Sequence, residues 1–97
     1  MKTKANIEYV IRSNKVEDNG ISYSYSLIER CSSMMPSYGL PLYSLRVLMT
    51  DSDGESTEAM AEDLFRDVNK ALSFYDKIVR NLATPIDLAY VIEDEMR

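Results

Sequence analysis

The chain has no histidine, no tryptophan, one cysteine and no long apolar run, and each absence closes off a class of function. Without histidine there is no imidazole-assisted serine or cysteine nucleophile, no usual zinc site and no ordinary switch near neutral pH. Any enzyme built on this sequence works with carboxylates, lysine, tyrosine or a bound divalent metal. No cofactor motif is present, and no cofactor is expected. Cys31 stands alone, so an intrachain disulfide is excluded and a reducing cytoplasm is the expected setting. Its expected place is that of a small buried or half-buried hydrophobe. No apolar stretch approaches the roughly 18 residues needed to cross a bilayer. Met1-Lys2-Thr3-Lys4 leads into Asn6 and Glu8 rather than an apolar segment, so neither a signal peptide nor a membrane partner is expected.

What remains suits one modest domain spanning residues 1–97. Hydrophobic residues make up 45% and charged residues 28%, enough apolar content for a core. The net charge of −5 is uneven: Asp51, Asp53, Glu55, Glu58, Glu62 and Asp63 form a stretch without a base. Long-range repulsion from a phosphate backbone makes direct nucleic-acid binding unfavourable, whereas a protein partner with a basic surface is attracted. A homodimer is the other partner expectation.

Glycine and proline are scarce, three of each, so the places where they gather stand out as breaks. Residues 4–12 alternate, with Ala5, Ile7, Tyr9 and Ile11 opposed to Asn6, Glu8 and Arg12. Residues 21–28 alternate more cleanly, with Ile21, Tyr23, Tyr25 and Leu27 opposed to serines. Period two in Tyr- and Ile-rich segments predicts half-buried strands, and Asn19-Gly20 supplies the positive φ angles of a hairpin turn. Residues 31–41 hold two prolines and a glycine and read as a loop. Residues 42–50 alternate again, a third strand.

The twelve residues Asp51–Glu62 carry acids at positions 1, 3, 5 and 12, as the ligands of an EF-hand loop do. That loop is entered from a helix and needs glycine at its sixth position. Here the entry is a strand, the sixth residue is Ser56, and Gly54 sits fourth. A hairpin turn is the better reading.

After the turn, Met60, Leu64, Val68, Leu72, Tyr75, Ile78, Val79 and Leu82 fall at helical spacing. The segment reads as one long helix from Thr57, or as a fourth strand over Glu55–Leu64 followed by a helix over 68–83 capped by Asp67. Thr84-Pro85-Ile86-Asp87 then combines an N-cap, a proline at the first helical position and an acid three residues past the cap. A last helix over 85–96 follows, burying Leu88, Ile92 and Met96.

The segments YSLRV (43–47), AEDL (61–64) and TPIDLAYVIEDEM (84–96) resemble a small domain-of-unknown-function family from Firmicutes. Its members share a "YGIRV"-like strand, an "EDL/EDI" strand end and a "SPIHL…DVIED" or "TPVTL…DVVED" C-terminal helix. The resemblance covers about residues 43 to 96. Ser44 stands where the family shows glycine, and Asp87 where it usually shows histidine. No activity, cofactor or catalytic residue comes with it. It implies a strand at 55–64, and the expected fold is α+β: an antiparallel four-stranded sheet (ββββαα) with two C-terminal helices packed on one face.

Four features are candidates for contact with a partner. The first is the acidic rim, Asp51, Asp53, Glu55, Glu58 and Glu62, with Glu58 and Glu62 projecting to one side and Asp63 to the other. As a solvated edge it would block strand aggregation; as a docking row it would attract a basic partner. The second is Glu93-Asp94-Glu95, placed against the negative end of a helix dipole unless Arg97, Arg46 or Arg80 answers it. The third is a helix face carrying Lys70, Phe74, Lys77 and Asn81, with Phe74 either a lone exposed aromatic or packed under the 31–41 loop. The fourth is Tyr38, in that loop. Together they suggest a non-catalytic, acidic protein-interaction module, with a phage or mobile-element-type inhibitor of a nucleic-acid-handling enzyme as a specific form. The alternative is a carboxylate-based minor enzyme or a divalent-metal-dependent module.

Overall fold

The computed structural model describes residues 6–32 and 41–95, with side chains described over 8–31 and 41–95. Four strands are followed by two helices: β1 (Asn6–Asp18), β2 (Ile21–Ser32), β3 (Leu42–Thr50), β4 (Ser56–Phe65), α1 (Val68–Arg80) and α2 (Pro85–Glu95). The strands form one sheet in chain order, and each neighbouring pair is antiparallel.

β1 and β2 meet at Asn19-Gly20, where both residues have positive φ (54° and 80°). That conformation matches the twist of the flanking strands in a two-residue hairpin. β1 runs six residues past the expected end at Arg12. The reason is a bulge: Val10 pairs with Ile28 and Arg12 with Leu27, leaving Ile11 as an extra residue. The extra residue reverses the alternation, so Arg12, Asn14 and Val16 continue on the face that Ile11 began.

Residues opposite one another in an antiparallel pair share a face. Tyr23, Tyr25 and Leu27 of β2 therefore lie beside Met49, Val47 and Leu45 of β3, and these beside Thr57, Ala59 and Ala61 of β4. Both helices pack on this face: Ala71, Phe74, Tyr75 and Ile78 of α1 and Leu88 of α2 join the same core cluster. α1 packs across β2, β3 and β4 and reaches β1, where Tyr75 donates to Asn14 Oδ1 at 2.7 Å and Arg12 sits 3.8 Å from Asp76. α2 packs on β3 and β4.

Local chemistry sets the helix ends. Asp67 caps α1 by accepting the Asn69 N–H at 3.1 Å. α1 closes with Leu82 N–H on the Val79 carbonyl and Ala83 N–H on the Ile78 carbonyl, with Leu82 at φ 52°. This is a Schellman ending made by leucine where glycine is usual. Thr84 Oγ1 then accepts the Asp87 N–H at 3.1 Å while Asp87 Oδ2 accepts the Thr84 N–H at 3.2 Å, a reciprocal capping box. The corner is tied to the sheet by the Tyr25 hydroxyl, which donates to the Ala83 carbonyl at 2.9 Å.

Candidate interaction surface

The acidic stretch after β3 begins as a turn. Asp51 Oδ1 accepts the N–H groups of Asp53 (2.9 Å) and Glu55 (3.0 Å), and Gly54 N–H returns to the Asp51 carbonyl at 3.0 Å with φ 88°. The Asp51 carboxylate is thus engaged in shaping the loop, and Asp53 and Glu55 stand exposed at its tip.

Further along β4 the acids lie on the sheet face opposite the helices and are already paired. Glu58 binds Arg46 across the strand pair. Glu62 lies 3.6 Å and Asp63 3.7 Å from Arg30, which also meets Glu8 at 3.3 Å. The expectation that Asp63 points away from Glu62 is overturned. Between the pairs Tyr43–Phe65 and Leu45–Ala61, β4 carries three residues where β3 carries only Ser44. Asp63 turns to φ 56° within this bulge and reaches the same guanidinium as Glu62. Its N–H donates to Ser44 Oγ at 2.9 Å, which satisfies the one buried polar residue among the described residues.

Phe74 is not a surface residue. It is 2% exposed and packs on Phe65, ring centroids 5.4 Å apart, which overturns its reading as a lone exposed aromatic; most of the 31–41 loop lies outside the described residues. The α1 stripe that faces the sheet is Ala71, Phe74, Tyr75 and Ile78, while Val68, assigned to the apolar stripe by spacing, is at the surface. Of the C-terminal acids Glu95 is paired, with Lys77 of α1 at 3.5 Å, rather than with Arg46 or Arg80. Tyr38 and Arg97 lie outside the described residues.

Glu93 and Asp94 are exposed and have no ion-pair partner among the described residues. They share a helix face with two residues that composition and spacing alone did not single out. Ile86 is 70% and Tyr90 66% exposed. Tyr90 lies four residues after Ile86, and Glu93 and Asp94 lie three and four after Tyr90, so the four form one ridge pointing away from the core residue Leu88. The available signal was that Ile86 and Tyr90 stand outside the 88–92–96 stripe. The sites therefore separate: Glu58 and Glu62 on the open sheet face, Asp53 and Glu55 at the hairpin tip, Glu93 and Asp94 on the outer side of α2.

An open groove of about 620 Å³ lies where the end of β4 meets the start of α1, lined by Leu64, Phe65, Arg66, Asp67, Lys70 and Glu95 among others. Its acids already serve the α1 cap and Lys77, leaving Arg66 and Lys70 beside them. No group of three or more Cys, Asp or Glu among the described residues is arranged to hold a metal ion. Burial raises the hydroxyls of Tyr25 and Tyr75 to about 12 and pushes Tyr43 upward as well, so these phenols are neutral, poor nucleophiles near pH 7. No helix among the described residues is long and apolar enough to cross a membrane.

A model of a family of unknown function, DUF6514, matches residues 4–97. No curated protein and no solved structure matches the chain.

Proposed function

We propose that this chain, which belongs to the DUF6514 family of unknown function, is a non-catalytic module that binds another protein through the outer ridge of α2. The observation that carries the reading is the exposure of Ile86 and Tyr90 one turn apart, with Glu93 and Asp94 following on the same ridge. An isoleucine and a tyrosine in water lose free energy that a complementary pocket recovers, and the acids beside them favour a basic rim around that pocket. A short amphipathic ridge held rigid by a capping box on a sheet is suited to docking into a groove. The finer form of the proposal is an inhibitor of phage or mobile-element type that occupies a basic groove of a nucleic-acid-handling enzyme. The single half-buried Cys31 supports a reducing, cytoplasmic setting.

The test is affinity capture from host extract with wild type and with the double variant Ile86→Ser, Tyr90→Ala, compared by quantitative mass spectrometry. Both side chains are exposed, so the variant keeps its melting temperature. A protein with a basic surface that is captured by wild type and lost with the variant is the expected result. Retention of every captured protein by the variant rejects the α2 ridge. A melting shift of wild type with calcium, magnesium or manganese would instead favour the carboxylate-based, metal-dependent alternative.

A further inference from the structure

We propose that two copies of this chain join along β1, in an antiparallel two-fold register centred between Ile11 and Arg12, to make one continuous eight-stranded sheet. This edge is separate from the α2 ridge, which lies towards β3 and β4. The two surfaces can therefore fail independently.

β1 is an edge strand: the sheet order gives it β2 on one side and no described strand on the other. It is also the longest strand, and Tyr9 and Val10 on it are 58% and 61% exposed. A long edge with exposed apolar residues offers unpaired backbone donors and acceptors for pairing, unless something on the edge prevents it. Charges and a bulge are the usual preventive devices, and β1 has both. Their arrangement here is self-complementary instead.

Each β1 residue has a fixed face of the sheet. Pairing with β2 sets Tyr9, Arg12, Asn14 and Val16 on the helix-bearing face, and Ile11 packs against the core on that side. Glu8, Val10, Ser13, Lys15 and Glu17 lie on the open face. Because of the extra residue, this pattern is a palindrome about the Ile11–Arg12 peptide. In a two-fold pairing centred there, Ile11 meets Arg12, Val10 meets Ser13, Tyr9 meets Asn14 and Glu8 meets Lys15, each pair on one face. The bulge of one copy lies beside the bulge of the other, so the kink is matched rather than opposed.

Other centres do worse. A register centred on Val10 sets Glu8 against Arg12 across opposite faces. One centred on Lys15 matches faces over a shorter span but places Lys15 against Lys15. The Ile11–Arg12 register instead forms the Glu8–Lys15 pair twice. Glu8 contacts Arg30 of its own chain through one oxygen and remains half exposed, leaving the other for the partner copy. Such an interface is isologous and closed, so it ends at two copies.

Two experiments decide it. Analytical ultracentrifugation from micromolar to millimolar protein should show a monomer–dimer equilibrium. Lys15→Glu sets like charges opposite Glu8 twice and should weaken dimerisation about tenfold, with the far-UV spectrum and the melting temperature of the dilute monomer unchanged. In a Cys31→Ser background, oxidation of an equal mixture of Val10→Cys and Ser13→Cys chains should cross-link them to each other, and neither chain should cross-link to itself. Wild type that stays monomeric throughout overturns the proposal. So does a dimer that Lys15→Glu leaves intact, one in which Val10→Cys self-cross-links, or one whose mixed chains do not cross-link.

Discussion

The Ser44 hydroxyl oxygen accepts the backbone N–H of Asp63 at 2.9 Å, and this bond ties the bulged end of β4 to β3. Ser44 is fully buried on the otherwise open face, and Asp63 is the left-handed residue of the bulge beside it. Ser44→Ala leaves that N–H without its partner, and the expected loss is about 1–2 kcal/mol. The urea midpoint of Ser44→Ala against wild type checks it. An unchanged midpoint means that water replaces the hydroxyl at no cost.

The bulge also sets what position 63 tolerates. At φ 56°, a β-branched side chain is strained by roughly 1–2 kcal/mol, whereas glycine is not. Asp63→Val is therefore expected to lower stability by at least that amount. Asp63→Gly should remain near wild type, because the ion pair it loses to Arg30 is exposed and contributes under about 1 kcal/mol. Equal midpoints for the two variants would show that backbone conformation does not govern this position.

At the α1–α2 corner, Thr84→Ala removes the acceptor of the Asp87 N–H and should cost about 1 kcal/mol. Asp87→Ala removes the reciprocal half of the box. Because the two groups share one motif, the double variant should lose less than the sum of the single losses. Additive losses in the cycle would mean that the two caps act separately.

Alkali should unfold this protein through its tyrosines. An unfolded tyrosine ionises near 10, whereas Tyr25 and Tyr75 in the fold are held neutral up to about 12 by burial. Their contribution is complete below pH 10 and is lost as pH rises from 10 towards 12, because the unfolded chain releases those protons first. Denaturant midpoints should be level up to about pH 9.5 and then fall. Absorbance of the folded protein at tyrosinate wavelengths should show Tyr25 and Tyr75 ionising late. Tyr25→Phe should make the alkaline fall shallower. A midpoint that is flat to pH 11.5 would contradict the burial argument.

Where a local rule determined the structure, the sequence was sufficient. Asn19-Gly20, the alternation of 42–50, the Asp67 cap and the Thr84-Pro85 start each depend on residues a few positions apart, and each formed as expected. The β3–β4 turn was likewise readable from Gly54 at the fourth position. The strand at 56–65 was not decided by periodicity, since its apolar residues fit a helix as well. The family resemblance implies a strand there, and the ladder with β3 bears it out. The errors came from irregularities with no local signature. One extra residue at Ile11 hid the second half of β1, and the bulge at Glu62–Leu64 turned Asp63 towards Arg30. Phe74 was misplaced because α1 buries one flank against Phe65, so its apolar side is not the one a single helical stripe predicts. On the acidic rim, charge was visible in the sequence but neutralisation was not. Arg46 and Arg30 are distant in the chain from the acids they meet.

The order of the elements has a consequence for synthesis. All four strands pair with chain neighbours, so the sheet can be completed once Phe65 has emerged from the ribosome. Its tyrosine-lined face gains cover only from residues 68–95, the last part of the described chain to emerge. At about 5–20 residues per second, that face waits on the order of a few seconds on the ribosome. During that interval Tyr23, Tyr25 and Leu27 are an exposed apolar surface beside an unprotected edge. A nascent chain that has emerged from the ribosome through Phe65 but not yet through Val68 is in its most aggregation-prone form, and one that has emerged through Leu88 is not.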